Sequence, residues 1–130
     1  MPLERIHKLA FKASEATHCA EDQGKFWEMH DRLFENQRAL EPWSPHAQAL
    51  GLDVAQFDLC LSSGKYADAV RKDMAEATKA GATGTPSFVV ALTNPDDPTK
   101  VEGLTFIRGA QAFPAFKAQL DSALSAADAK

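Results

Sequence analysis

The sequence predicts an α+β chain, mainly helical, in which several helices come first and a strand–strand–helix end follows. Three observations carry this. Apolar residues recur at helical spacing from Leu3 to Ala80. A short apolar, β-branched run, Ser87-Phe88-Val89-Val90-Ala91-Leu92, starts directly after Pro86. Helical spacing then returns with Phe113, Phe116, Leu120 and Leu124.

Taken in order, Leu3 to about Glu21 reads as a helix with a small stripe of Ile6, Leu9, Ala10, Ala13, Ala16, Thr17 and Ala20. Alanines there let another backbone approach closely. Gln23-Gly24 breaks the pattern. A second helix carries Phe26, Met29, His30, Leu33 and Phe34 on one face, with Trp27 at its margin. Pro42-Trp43-Ser44-Pro45 reads as a turn, with Ser44 as N-cap and Pro45 as first helical residue. That short helix ends at Leu50, and Gly51 closes it. Asp53 caps the next helix, which holds Val54, Phe57, Leu59, Cys60 and Leu61 and stops at Ser62-Ser63-Gly64. Lys65 to Ala80 forms a long helix with Tyr66, Ala69, Val70, Met74 and Ala77 inward. Ser87–Leu92 is expected to be a buried strand. Asn94-Pro95-Asp96-Asp97-Pro98 is a polar loop closed to strand structure by its prolines. Leu104–Arg108 is a second strand, so a hairpin with an irregular loop joins the two. Phe113–Ala126 is the last helix, and the Ala-rich tail Ser122–Lys130 reads as its fraying end. Two strands are too few for an independent sheet, so Phe88, Val90 and Phe106 need further partners.

The chain has 130 residues, the size of one domain, and 45% of them are hydrophobic, which argues against wholesale disorder. A single domain is expected, helical over 3–80 with its strand–strand–helix end over 84–126. A net charge of −4 argues against a nucleic-acid partner, which would need a basic face. No apolar run approaches the roughly 20 residues that span a bilayer, so no membrane contact is expected. Met1-Pro2-Leu3-Glu4-Arg5 lacks the features of a signal peptide. As written, the chain reads as cytoplasmic; as part of a longer precursor it reads as periplasmic.

Gly81-Ala82-Thr83-Gly84-Thr85-Pro86-Ser87-Phe88-Val89-Val90 resembles the proline loop and following strand of the DsbA-like branch of the thioredoxin superfamily. The stretch from Arg108-Gly109 to Phe113 resembles that branch's entry into its last helix. Cys19 to Phe34 and Leu59 to Tyr66 resemble its helical insertion. The resemblance covers nearly the whole chain, in the family's order. It implies a partial thioredoxin-like fold with a DsbA-type helical insertion and a C-terminal β-hairpin plus helix. It also implies thiol:disulfide oxidoreductase ancestry and protein or peptide thiols and disulfides as partners. In that family Pro86 would follow a cis bond, and the backbone of Thr85 would pair with an extended substrate; Thr85 and Pro86 are therefore the expected substrate-binding residues. One departure decides mechanism. The family's strand, Cys-x-x-Cys helix start and second strand would precede Pro2-Leu3, and none of them is in these residues.

Exchange chemistry needs a thiolate at a helix N-terminus and a resolving thiol three residues on. Cys19, at the far end of the first helix, and Cys60, inside a short apolar helix, do not fit, so no catalytic residue is assigned. Read from its surroundings, Cys60 is an inert small hydrophobe. The resemblance offers the alternative of a Cys19–Cys60 structural disulfide, which suits an oxidising compartment. His18, Cys19, His30 and His46 match no zinc spacing, so no metal is expected, and no cofactor. His30 reads as a core histidine, and Trp27 and Trp43 as packing residues. The open strand edge left by the missing first strand leads to an expected homodimer, and to a rival reading of the chain as a non-catalytic peptide- or partner-binding module.

Overall fold

The computed structural model describes residues 2–128. They form two compact units, 1–80 and 81–130. The first unit is all helical: α1 (Ala10–Glu21), α2 (Phe26–Glu35), α3 (Ser44–Ala49), α4 (Val54–Ser63) and α5 (Ala67–Lys79). The second holds β1 (Ser87–Thr93), β2 (Val101–Arg108) and α6 (Phe113–Asp128).

In the first unit α1 is the central element, packed against α2, α4 and α5. Its small stripe explains this. Ala16, Cys19 and Ala20 are buried, and they let the neighbouring backbones close in. The core cluster adds Met29 and Leu33 from α2, Ala47 from α3, and Phe57, Cys60 and Leu61 from α4. Burial is the main driving force for such a unit, at roughly 25 cal/mol per Å² of apolar surface.

The first helix starts at Ala10, not Leu3. Leu3–Leu9 makes turns instead, with the His7 N–H donating to the Leu3 carbonyl at 2.9 Å. Ile6 is exposed there, so its burial does not offset the cost of ordering a helix beginning with Glu4, Arg5, His7 and Lys8. Asp53 caps α4 as its position suggested, its carboxylate accepting from the Gln56 N–H at 3.0 Å. Asp53→Ala should cost about 1 kcal/mol, read as a lower urea midpoint with unchanged slope. Ser44 caps nothing; its hydroxyl lies 2.8 and 2.9 Å from the two carboxylate oxygens of Asp58. The apolar face of α2 is narrower than its spacing implied. Met29 and Leu33 are buried, whereas Trp27 and Phe34 are exposed.

In the second unit β1 and β2 pair antiparallel, with Ser87 opposite Arg108 and Thr93 opposite Val101. The register shifts between Val90 and Ala91, which leaves Leu104 on β2 as the extra residue of a bulge. β2 runs three residues past the expected Leu104–Arg108 at its N-terminal end, from Val101. The loop between them is closed by Asn94, whose Oδ1 accepts from the Asp96 and Asp97 N–H groups. α6 covers one face of the hairpin, with Phe116 edge-on to Phe88 at 5.0 Å between ring centres. The strand expected to be buried is half exposed, since Val89 keeps 54% of its surface. One helix and two strands cannot cover both faces of a sheet. The same shortage leaves Phe113, Leu120 and Leu124 exposed, while Ala123 is buried. The expected fraying tail is helical through Asp128; Ala129 and Lys130 lie outside the described residues, as does Met1.

Candidate functional site

Thr85 and Pro86 stand in the turn that feeds β1, and both are exposed. The Thr85–Pro86 peptide bond is cis, as is Glu41–Pro42. The turn is held from within. Ser87 Oγ donates to the Gly84 carbonyl at 2.7 Å, and the Gly109 N–H donates to the Pro86 carbonyl at 2.9 Å. The Gly84 and Pro86 carbonyls are thus occupied, whereas the Thr85 N–H and carbonyl have no partner among the described residues. Thr85 offers an extended peptide one backbone donor and one acceptor, with no sequence preference of its own.

Cys19 and Cys60 form a disulfide, with an S–S distance of 2.04 Å and 5.8 Å between Cα atoms. It joins the C-terminal turn of α1 to α4. Cys19 is 1% exposed and Cys60 8%. Neither sulfur is free, and the bridge lies within the core cluster of the first unit. The two cysteines belong to the first unit and Thr85 and Pro86 to the second.

The sequence reading missed a polar cluster beside this bridge. Asp22, directly after α1, accepts from Lys65 Nζ at 2.6 Å and from the Tyr66 hydroxyl at 2.5 Å. The His18 ring stacks on Tyr66 with centroids 5.1 Å apart, and its Nδ1 lies 2.9 Å from Glu21 Oε2. Cys60 Sγ is 3.8 Å from Asp22 Oδ2, a contact and not a hydrogen bond, since a disulfide sulfur carries no proton. The Lys65 ammonium, and then the Tyr66 hydroxyl, hold the Asp22 carboxyl below the usual carboxylate range. Asp22 in turn pushes Lys65 and Tyr66 up. A group with a depressed folded pKa stabilises above its unfolded value and loses that contribution as pH falls through the folded one; groups with raised values lose theirs as pH rises through theirs. Asp22→Asn should therefore lower the melting temperature at pH 7, with the difference from the parent closing below about pH 3.9. Thermal unfolding across pH 2–7 checks this, and a constant difference would show that charge is not its origin. No spacing rule links Asp22 to Lys65 and Tyr66, which lie 43 and 44 residues away.

The histidines divide differently from expectation. His30 is no core residue: it is half exposed, its Nδ1 is 2.9 Å from Asp31 Oδ1, and its ring lies 4.7 Å from that of Phe34. The buried histidine is His46, whose Nε2 is 3.0 Å from both the Ala39 and Leu40 carbonyls. Carbonyls only accept, so Nε2 carries the proton and donates, and the buried Nδ1 is left without a partner. Trp27 is exposed and packs edge-on against Phe26 and His30. Among the described residues, no group of three or more His, Cys, Asp or Glu side chains is placed to hold a metal. The acidic loop is satisfied internally: Asp97 bonds Thr99 and pairs with Lys100 at 3.0 Å, and these contacts hold its carboxyl below the usual range. No helix among the described residues is long and apolar enough to cross a membrane.

Residues 3–121 match the family model described as DSBA-like thioredoxin domain. Among curated proteins, the Na(+)/H(+) antiporter NhaA 3 of Salinispora tropica is 35% identical over 107 residues, 81% of this chain and 16% of the antiporter. The Na(+)/H(+) antiporter NhaA 1 of Mycolicibacterium vanbaalenii is 42% identical over 94 residues, 68% of this chain and 15% of the antiporter. The Na(+)/H(+) antiporter NhaA of Herminiimonas arsenicoxydans is 40% identical over 80 residues, 60% of this chain and 13% of the antiporter. The chain thus spans 13–16% of the length of these three relatives. No solved structure matches it significantly.

Proposed function

Since the chain belongs to the DSBA-like thioredoxin domain family, we propose that it is the substrate-side part of a thiol:disulfide oxidoreductase fold and is redox-inactive by itself. Its Thr85–Pro86 turn would hold an extended peptide by backbone pairing. The observation that carries this is the pair of unpartnered backbone groups on exposed Thr85, set against two cysteines locked in a buried disulfide. Thiol–disulfide exchange starts with attack by a thiolate. Neither Cys19 nor Cys60 is a thiol, and their burial keeps an outside thiolate from reaching either sulfur. Insulin reduction by this chain with dithiothreitol should stay at the uncatalysed rate. In the same sample, an unstructured cysteine-containing peptide should shift the amide resonances of Thr85 and Ser87. Turnover that disappears in Cys60→Ala would overturn the inactive assignment, and a peptide that leaves Thr85 unmoved would overturn the substrate site.

A second reading is favoured by the open edge of β1, which has one neighbouring strand, β2. Here the chain is a partner-binding module that uses this edge to pair with another strand, including that of a second copy. The antiporter relatives support a module of this kind, because the matched stretch is a small share of each of them. The disulfide favours an oxidising compartment for either reading.

A further inference from the structure

Within the second unit, the end that holds Thr85 and Pro86 carries a single charged side chain. Residues 81–95 hold none, and between Gly103 and Phe116 there is one, Arg108. The other charges of this unit stand elsewhere. Asp96, Asp97, Lys100 and Glu102 are at the far end of the hairpin, and Lys117, Asp121 and Asp128 follow along α6. From Ser87 to Thr93 β1 covers about 20 Å, at roughly 3.4 Å per residue. That is more than twice the ~8 Å over which physiological salt screens a charge. The turn therefore feels Arg108 and little of the far loop, although the whole chain has a net charge of −4.

Arg108 is exposed and pairs across the ladder with Ser87, the first residue after Pro86. Its neighbour Gly109 donates to the Pro86 carbonyl at 2.9 Å, so the backbone fixes Arg108 beside the turn. The guanidinium lies 4.9 Å from the centre of the Phe106 ring and 3.5 Å from the Gly81 carbonyl, where the turn begins. Ring and carbonyl restrain the side chain without neutralising it. A guanidinium has five N–H donors, and the Gly81 carbonyl takes one of them. Lys100 is paired with Asp97 and Lys117 with Asp121, whereas Arg108 has no carboxylate partner among the described residues.

We propose that Arg108 sets the substrate class of this turn: polypeptide segments with an Asp or Glu side chain next to the residue that pairs with Thr85. This rests on the reading of Thr85 and Pro86 as a peptide-binding turn, and adds a charge preference to it. Backbone pairing by itself holds extended segments of any composition. A carboxylate brought to this turn meets an anchored cation whose planar fork still has donors to give. A Lys or Arg side chain brought there meets like charge, with no carboxylate of the turn to offset it. Because Arg108 faces solvent, the preference is a matter of a few-fold in affinity. Arg108 makes and breaks no bond; it selects which segments dwell at the turn.

Three unstructured peptides titrated into the full chain test this. They are capped at both ends and differ only in carrying Glu, Gln or Lys on each side of a central serine. The amide resonances of Thr85 and Ser87 report binding at the turn. The Glu peptide should bind roughly three- to fivefold tighter than the Gln peptide, and the Lys peptide more weakly than either. Raising the salt to about 0.5 M should flatten these differences. Arg108→Lys should keep the order, Arg108→Gln should remove it, and Arg108→Glu should reverse it, with the other amide resonances reporting that each variant stays folded. Peptides that leave Thr85 and Ser87 unmoved overturn the turn as a peptide site, and this inference with it. Peptides that shift both residues with equal affinity, or an order that Arg108→Glu leaves unchanged, overturn the charge preference alone and leave the peptide site standing.

Discussion

Replacing Cys19 and Cys60 together by alanine should lower the unfolding free energy of the first unit by about 4 kcal/mol. The bridge joins residues 41 apart in sequence, and closing a loop of that length in the unfolded chain accounts for about this much stability in the chain-entropy model. The bridged residues sit on packed helices, with α1 and α4 in contact. The core that must hold without it is small. Three of the ten residues in its central cluster are alanines, and two are the cysteines themselves. A domain of this size has roughly 5–15 kcal/mol in total, so a loss of 4 is large. Urea titration of the parent, the parent with dithiothreitol and the double variant checks it. The last two should nearly coincide; a loss below about 1 kcal/mol would mean that the polar contacts of Asp22 hold α1 to the α4–α5 junction without the bridge.

Phe57→Ala should cost about 3–5 kcal/mol, the usual range for deleting a buried aromatic ring. Phe57 is fully buried and is among the largest side chains that are, in a cluster whose other members include Met29, Leu33 and Leu61. Small neighbours such as Ala16, Ala20 and Ala47 cannot swing into the space, so the cavity persists and its walls lose their contacts. Phe57→Leu keeps most of the volume and should cost less than half as much. Equal losses in the two variants, measured by urea unfolding, would show that the site collapses around the smaller side chain.

Much of this architecture was readable because it rests on local rules. Gly24, Gly51 and Gly64 all adopt positive φ, and each stands at the helix boundary that its position marked. Asp53 caps by a bond three residues long, and Pro86 separates helical from extended pattern by its own geometry. The Gly-Thr-Pro turn, the helical insertion and the entry into the last helix carried the family. What failed depended on neighbours. Leu3–Leu9 has helical spacing, but Ile6 at its middle stays exposed. Val89, Phe113, Leu120 and Leu124 have core-like spacing in a hairpin unit too thin to cover them. His30 and His46 look alike in sequence, and only their packing separates the exposed ring from the buried one.

By itself, the sequence determined the order of elements, the family, the Thr85–Pro86 turn and the absence of a Cys-x-x-Cys from these residues. Each follows from residue identity or short-range spacing. Only the tertiary structure decided that Cys19 and Cys60 meet, that Asp22 gathers Lys65 and Tyr66 beside them, and that the Thr85 backbone groups have no partner among the described residues. These depend on groups more than forty residues apart, or on the hydrogen-bond parity of a ladder. No local preference encodes such a meeting; burial of the core brings the groups together, and the bonds then hold them there.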